Sequence, residues 1–229
     1  MSVRHRAGSL VVAVIMIAAA GSVRASAQED DAHAGAAATA EHDPHRNVEL
    51  WALSGLDAVI SSRWSAVVRA GYIGGFDSGV VQSDLSYAPD AAKRLIVGHV
   101  LINPMRAGAG AISILRAGGA WLPLTGRIEL EHQGLVEHLA GDGREFFRLR
   151  NRLRLSVAPR ASRPLRAFVS AELFAIRASA LNASRYQAGA TLSGRHERIE
   201  VYLVRQQFRE QPGFTALGLS AIWTVGYRR

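Results

Sequence analysis

The chain has 229 residues, of which 27 are Lys or Arg and 19 are Asp or Glu, and its formal net charge is +8. Apolar residues make up 48% of this chain, which excludes a fully disordered protein, and the length fits one domain or at most two small ones. Because the chain contains no cysteine, it cannot be a disulfide scaffold, hold a thiolate metal site or carry a lipid on cysteine.

The N-terminal segment has the three parts of a secretory signal peptide. Arg4 and Arg6 precede an apolar run over 10–20, and the small residues Ala-Ser-Ala follow at 25–27. The apolar run is shorter than the roughly 20 residues of a membrane-spanning helix. We therefore expect export and cleavage after Ala27, with an uncleaved anchor as the alternative. Cleavage removes three arginines and no acid, leaving 24 basic against 19 acidic residues. This mild excess does not indicate nucleic-acid binding.

Residues 28–46, which follow the predicted signal peptide 1–27, are rich in Ala, Asp, Glu and His and lack apolar periodicity. We interpret them as a flexible periplasmic tail. Three histidines lie in this tail, at 33, 42 and 45, without the spacing of a metal site. The sequence therefore predicts no metal and no cofactor. Residues 47–229 form the predicted barrel domain.

From about residue 48 onward, apolar and polar residues alternate in short runs, which is the period of a β-strand. The pattern is clearest over 64–72, 147–157 and 215–227. The apolar face of the first run has an aromatic residue at each end, Trp64 and Tyr72, about 26 Å apart in an extended strand. A tilted strand of this length nearly spans the apolar band of an outer-membrane barrel.

Six weaker runs also predict strands. They are 95–102, 111–121, 127–133, 167–175, 186–194 and 198–208. We expect roughly ten to twelve strands over the domain, at about 15 residues for each strand and its turn. This spacing is typical of a sandwich or of an up-and-down barrel. We predict an all-β fold, an antiparallel up-and-down transmembrane β-barrel of about 10–12 strands.

Alternation alone leaves open which face points inward. A soluble, lipocalin-like periplasmic binding barrel has its apolar face inside, whereas a membrane barrel has it outside. The predicted export, the absence of cysteine and the terminal aromatics favour the membrane barrel. The alternating run that ends at Tyr227 is similar to the C-terminal strand recognised by the outer-membrane assembly machinery, although Arg228 and Arg229 follow it. We therefore expect an outer-membrane location, with the membrane lipids and that machinery as partners.

The second half of the chain resembles an outer-membrane β-barrel family catalogued as domain of unknown function 2490. That family has an arginine-rich strand, a strand with Glu before an apolar and an aromatic residue, an Arg before the next strand, and a strand ending in Gln. The corresponding segments here are 147–155, 164–174, 185–189 and 199–206, and 127–133 is similar to the family's preceding Glu-rich strand. The resemblance implies an outer-membrane barrel and no assigned activity.

Charged side chains on 147–157 are the strongest candidates for a site. Four arginines share one face of this run: Arg148, Arg150, Arg152 and Arg154. A lipid-facing Arg at the membrane midplane costs about 2–4 kcal/mol, so in a membrane barrel this face points into the lumen. Buried charges need partners. We expect a lumen charge ladder with carboxylates of neighbouring strands, namely Glu129, Glu131 and Glu172.

Two functions follow from this arginine face. It can be a structural ladder that fixes the strand register, or an anion-attracting constriction of a porin-like pore for small anionic solutes. A lipid hydrolase or acyltransferase on the barrel wall is the alternative from another class. Its candidate residues are His99, His132, His138, His196, Ser83, Ser113, Ser170 and Ser220. Because none of them lies in a nucleophile motif such as G-x-S-x-G, we expect no enzyme.

Overall fold

The computed structural model describes residues 48–105, 108–141, 143–159, 164–176, 181–209 and 212–226. The predicted signal peptide and tail lie outside the described residues, as do Tyr227, Arg228 and Arg229. Within the described ranges, no helix is long and apolar enough to cross a membrane.

Eleven strands form one closed sheet. They are β1 (Glu49–Val59), β2 (Trp64–Ile73), β3 (Ser78–Tyr87), β4 (Lys93–Pro104), β5 (Ile112–Leu124), β6 (Ile128–Gly141), β7 (Arg144–Val157), β8 (Leu165–Ile176), β9 (Leu181–Ser193), β10 (Glu197–Phe208) and β11 (Phe214–Gly226). One turn of 3-10 helix, Gly74–Phe76, joins β2 to β3. The predicted up-and-down barrel and its strand count are confirmed, and the strands do not form a sandwich.

The barrel closes between its first and last strands. Every other neighbouring pair is antiparallel, but β1 and β11 are parallel, with Glu49 opposite Ala216 and Val59 opposite Gly226. Eleven strands that run alternately up and down leave the first and the last pointing the same way, so parallel closure follows from the odd count. The pairing is therefore mixed, where the sequence predicted antiparallel pairs throughout. Single-chain bacterial outer-membrane barrels usually have an even number of strands.

The barrel has two rims, which differ in the strand ends that form them. The upper rim is the end at which the odd-numbered strands finish, and the lower rim is the end at which they begin. These names imply no orientation in a membrane.

Large apolar side chains cover the outer surface. On β7, Phe147, Leu149 and Leu153 are each about half exposed, while the arginines between them turn inward. Outward-facing aromatics lie near the upper rim on four strands, at Trp64, Tyr87, Trp121 and Trp223. The rings of Trp64 and Tyr87 are in contact, with centroids 4.9 Å apart.

Strands are recognisable in the sequence only where their two faces differ in polarity. The prediction of 127–133 stops short of β6, which continues to Gly141. From Leu135 onward the inward-facing positions include the buried Leu135 and Leu139, so the contrast with the outward Val136 disappears. β1 and β3 have neighbouring apolar residues on both faces, such as Val80 and Val81, and for the same reason no clear period singles them out.

Candidate functional site

The inward face of β7 is the centre of an ion-pair network. Pleating of the strand places the side chains of Arg148, Arg150, Arg152 and Arg154 on the same side, at alternate positions. Each of these side chains lines the cavity inside the barrel and is between 17% and 26% exposed. Arginines held this far from bulk water need acceptors for several N–H groups each.

Glu137 on β6 holds two of these arginines. Its Oε2 accepts hydrogen bonds from Arg148 Nε at 2.8 Å and Nη2 at 2.5 Å. Its Oε1 accepts one from Arg150 Nη1 at 3.2 Å. Glu137 lies directly opposite Arg148 in the β6–β7 register and its side chain is only 1% exposed. A carboxylate so fully withdrawn from water is stable in its charged form because both oxygens are paired.

Glu172 on β8 continues the network around the wall. Arg150 Nε donates to Glu172 Oε1 at 2.6 Å, and Arg185 Nη1 donates to Glu172 Oε2 at 3.0 Å. Arg185 Nε also donates to Gln206 Oε1 at 2.8 Å. Consecutive ion pairs and one amide hydrogen bond therefore join five neighbouring strands, from Glu137 on β6 to Gln206 on β10.

The upper part of the arginine face binds carboxylates that are not directly opposite. Glu131 is opposite Arg154 in the register, yet it accepts a hydrogen bond from Arg152. Arg154 instead donates to Glu200 on β10 at 2.8 Å, and its guanidinium lies 3.8 Å from the ring centroid of Phe168. Long arginine side chains reach diagonal neighbours along a sheet and, inside a narrow barrel, strands further round the wall.

Another ion pair lies in the β3–β5 part of the wall. Arg116 is buried, and its Nε and Nη2 donate to Asp84 at 2.9 and 2.6 Å. Gly98 lies on β4 between them. A Cβ at Gly98 would come within 2.0 Å of Asp84 Oδ1. Glycine is therefore needed at this position for the two charged side chains to meet across β4.

All seven predicted ladder residues line one cavity. Glu131 and Glu172 bind arginines of β7, whereas Glu129 pairs with Arg166 at 3.7 Å near the upper rim. Several charged partners were not predicted from the sequence: Glu137, Glu200, Arg185, Asp84 and Arg116. Glu137 was detectable, because it has the same parity on β6 as Glu129 and Glu131. The partner of Arg154 was not detectable, because β7 and β10 come together only when the sheet closes.

The cavity has a charged upper part and an apolar floor. Its volume is about 510 Å³, and the described residues that line it include ten arginines and six carboxylates, a formal excess of four positive charges. Below it, two clusters of apolar side chains fill the lower half of the barrel. The first contains Trp51, Val204, Phe214 and Ala216 and extends upward to Tyr202 and Phe168, and the second contains Val80, Val100, Ile114 and Leu139. A third cluster, which contains Ile96, Ala120 and Leu135, lies nearer the upper rim. At the lower rim, Phe76 contacts Phe208 and Phe214 edge-on, with centroids 6.2 and 5.4 Å apart.

Two of the residues considered for catalysis, His99 and Ser113, meet on the outer wall. His99 Nε2 on β4 lies 2.8 Å from Ser113 Oγ on β5, and both side chains face away from the lumen. His138, also on the outer surface, binds Glu145 at 2.8 Å and its ring packs on Phe147 at 4.7 Å. None of the described residues form a group of three His, Asp or Glu side chains able to hold a metal ion.

Comparison of the chain with known protein families, with curated proteins and with solved structures found no match. The resemblance to the barrel family named above therefore stays a prediction.

Removal of one buried carboxylate tests the network. We expect Glu137→Gln to lower the free energy of unfolding by about 3 kcal/mol, because it leaves two buried guanidiniums short of an anion. The measurement is a urea titration of the folded protein in detergent micelles.

Glu129→Gln is the matched control, because it makes the same chemical change in a pair that is 3.7 Å apart and about one-third exposed. We expect it to change the free energy of unfolding by less than about 1 kcal/mol. Equal losses in the two variants would contradict the assignment of Glu137 to a buried network.

Proposed function

We propose that this protein is an outer-membrane β-barrel with a structural role, in which a charge ladder braces the wall and packed apolar side chains close the lower half of the lumen. The observation that carries the proposal is the distribution of polarity. Apolar side chains face outward and charged side chains face the lumen. A soluble binding barrel needs the opposite arrangement, because its apolar face must be shielded from water.

The outer surface supports lipid as the surrounding solvent. Large exposed apolar residues occur on every strand, for example Leu95 and Val97 on β4 and Val201 and Leu203 on β10. Soluble monomers rarely expose contiguous apolar patches larger than a few hundred Å². Trp121 lies eight positions after Ser113 on β5, which is a rise of about 20 Å for a strand tilted by about 40°. That is close to the height of the apolar band in outer-membrane barrels.

The lower half of the lumen favours a structural barrel over an open pore. Val204 and Ala216 are fully buried there, and Phe214 is 5% exposed. A path for solutes would have to displace these packed side chains. The cavity above them is open near the upper rim, where Arg198 is 42% exposed.

We further propose that the exposed outer face of β11, which includes Leu217, Leu219 and Trp223, contacts the assembly machinery and the lipids.

Fractionation of the cells tests the location. We expect the expressed chain in the outer-membrane pellet, with a mobility on gels that changes on boiling.

A charge on the outer wall tests which face of the sheet contacts lipid. Leu149 lies near the middle of β7 and is 52% exposed. Leu149→Arg should reduce the stability of the folded form by about 2–4 kcal/mol, because the charge then faces the lipid midplane.

Ile60→Arg is the control, since Ile60 is equally exposed but follows β1 at the upper rim, where the expected loss is about 0–1 kcal/mol. A water-soluble periplasmic protein that tolerates both substitutions would contradict the proposal.

A lipid hydrolase is the second candidate, favoured by the contact of His99 with Ser113. An unprotonated Nε2 at 2.8 Å can take the Ser113 proton as Oγ attacks an ester carbonyl. The imidazolium then protonates the leaving alcohol, and water hydrolyses the acyl-serine. Ser113 is the second residue of β5, at the lower edge of the apolar surface, where the ester linkages of lipids lie.

The hydrolase candidate predicts release of fatty acid from phospholipid vesicles that contain the reconstituted barrel. Ser113→Ala and His99→Gln should each abolish the release, because one lacks the nucleophile and the other the base. Ser54→Ala removes an exposed serine on the outer face of β1 and should have no effect. Release that is absent from the wild type, or unchanged in Ser113→Ala, rejects this candidate.

A further inference from the structure

We infer that the upper part of the lumen cavity binds a phosphate group, either as a free anion or as the phosphate of a small solute, between Arg69 of β2 and Arg198 of β10. The inference rests on the proposed function in one respect, since the charged face must point into a water-filled lumen. It adds a ligand class that the structural role does not require.

The first observation is that some lumen arginines have no carboxylate of their own. Arg69 and Arg94 line the cavity and form no ion pair within 4.0 Å with any described residue. The nearest carboxylate to Arg198 is Glu200, at 4.0 Å. Glu200 already accepts a hydrogen bond from Arg154 at 2.8 Å. These three arginines account for most of the positive excess in the cavity.

The second observation is that Arg69 and Arg198 repel each other. Arg198 has the largest electrostatic effect on Arg69, ahead of Asp84 and Glu200, which attract it, and of Arg152, which repels it. Repulsion between like charges is strong in a lumen where the effective dielectric constant is well below that of water. A bound anion between these guanidiniums would turn this repulsion into attraction.

The two carboxylates that act most strongly on Arg69, Asp84 and Glu200, are already occupied. Both oxygens of Asp84 accept hydrogen bonds from Arg116 Nη2, at 2.6 Å each, and Oδ2 also accepts one from Gln82. Glu200 is held by Arg154 and by Thr191. Neither acid can turn to Arg69 without leaving a buried arginine short of its partner, which would be strongly destabilising.

The third observation concerns individual donor atoms. The Nε atoms of Arg69, Arg152 and Arg198 are buried and have no hydrogen-bond partner among the described residues. A buried donor that makes no hydrogen bond is costly. All three belong to side chains that line the cavity, so a turn of each guanidinium would bring its Nε–H to an acceptor inside the cavity.

The wall between Arg69 and Arg198 leaves room for such an acceptor. β1 and β11 separate the two strands, and Gly55 lies opposite Arg69 in the register. On β11 the small Ser220 lies opposite Glu200 and lines the cavity. Gly55 and Ser220 add no bulky side chain there, whereas the buried Ile222 lies opposite both Gly55 and Arg198 in the register and bounds the space on the β11 side.

Guanidinium chemistry selects the class of ligand. The planar fork of arginine donates two parallel hydrogen bonds and matches the oxygens of a phosphate group. A phosphate carries up to two negative charges at neutral pH and has several acceptor oxygens, so one group can serve more than one arginine. Chloride offers one charge and no oxygens, and we expect it to bind less tightly.

Calorimetry on the refolded full chain tests the site. The protein is held in octyl glucoside, a detergent without phosphate, and titrated with inorganic phosphate in chloride buffer. We expect saturable one-site binding, weakened about tenfold or more in Arg69→Gln and in Arg198→Gln, because each loses a charge-assisted contact. Glycerol phosphate in a second titration distinguishes a free anion from the phosphate of a solute. Binding of both assigns the site to the shared phosphate group, and binding of inorganic phosphate alone assigns it to the free anion.

Arg205→Gln is the matched control. Arg205 faces outward on β10 and donates to Thr215 at 3.1 Å, so its loss removes the same charge away from the lumen. Binding should be unchanged in this variant, and equal weakening in all three would overturn the inference by showing a general charge effect. A wild type with heat-dependent mobility that binds no phosphate overturns the inference and leaves the barrel intact. A wild type that is soluble without detergent and lacks that mobility overturns the proposed function, and the inference with it.

Discussion

The ion pairs of Glu137 and Glu172 with the arginines of β7 are the interaction on which the rest of the barrel depends. Two carboxylates with almost no exposure lie among Arg148, Arg150 and Arg185. These ion pairs connect β6, β7, β8 and β9 on the lumen side of the wall. The backbone hydrogen bonds between strands would not by themselves specify the curvature of the wall. Breaking one pair leaves a charge buried without a partner, so the network favours a single register.

This network also determines what the outer surface must be. Once the arginines of β7 point inward, the alternate residues point outward, and these include Phe147, Leu149 and Leu153. A strand cannot be shifted by one residue without exchanging the two faces completely. The charged interior and the apolar exterior therefore have the same cause, which is the alternation of side chains along strands whose arginines point inward. Together they support a barrel in lipid.

The polarity of the lumen side chains changes near one layer of aromatic rings. The ring of Phe174 lies within 4.7 to 5.7 Å of the guanidiniums of Arg148, Arg150 and Arg185, and Arg185 also lies 4.9 Å from the ring of Trp51. Most of the charged side chains lie above this layer, together with the buried Ile96, Ala120 and Leu135, and most side chains below it are packed and apolar. Cation–π contacts suit such a boundary, because an aromatic face accepts a cation on one side and hydrocarbon on the other.

The sequence predicts a strand well where its two faces differ strongly in polarity, and poorly where both faces are apolar. Arg148 to Arg154 alternate with mostly large apolar residues, so the extent of β7 and the shared face of its arginines could be inferred. The second half of β6 could not, because Leu135 and Leu139 point inward beside an apolar outer face. Contacts across the lumen, such as Arg154 with Glu200, depend on how the sheet closes, which no local pattern encodes.

The most direct test of an apolar outer wall in lipid around a polar lumen compares the accessibility of neighbouring positions on one strand. Single positions can be labelled because the chain has no cysteine of its own. Single cysteines replace Leu85 and Ser86 on β3 and Leu192 and Ser193 on β9, and each carries a spin label in lipid vesicles. Ser86 and Ser193 line the cavity, whereas Leu85 and Leu192 are exposed on the outer wall. If the barrel lies in lipid as proposed, the labels at the two leucine positions collide with oxygen dissolved in the lipid, and the labels at the two serine positions collide with a water-soluble nickel complex. The opposite pattern would contradict the proposal.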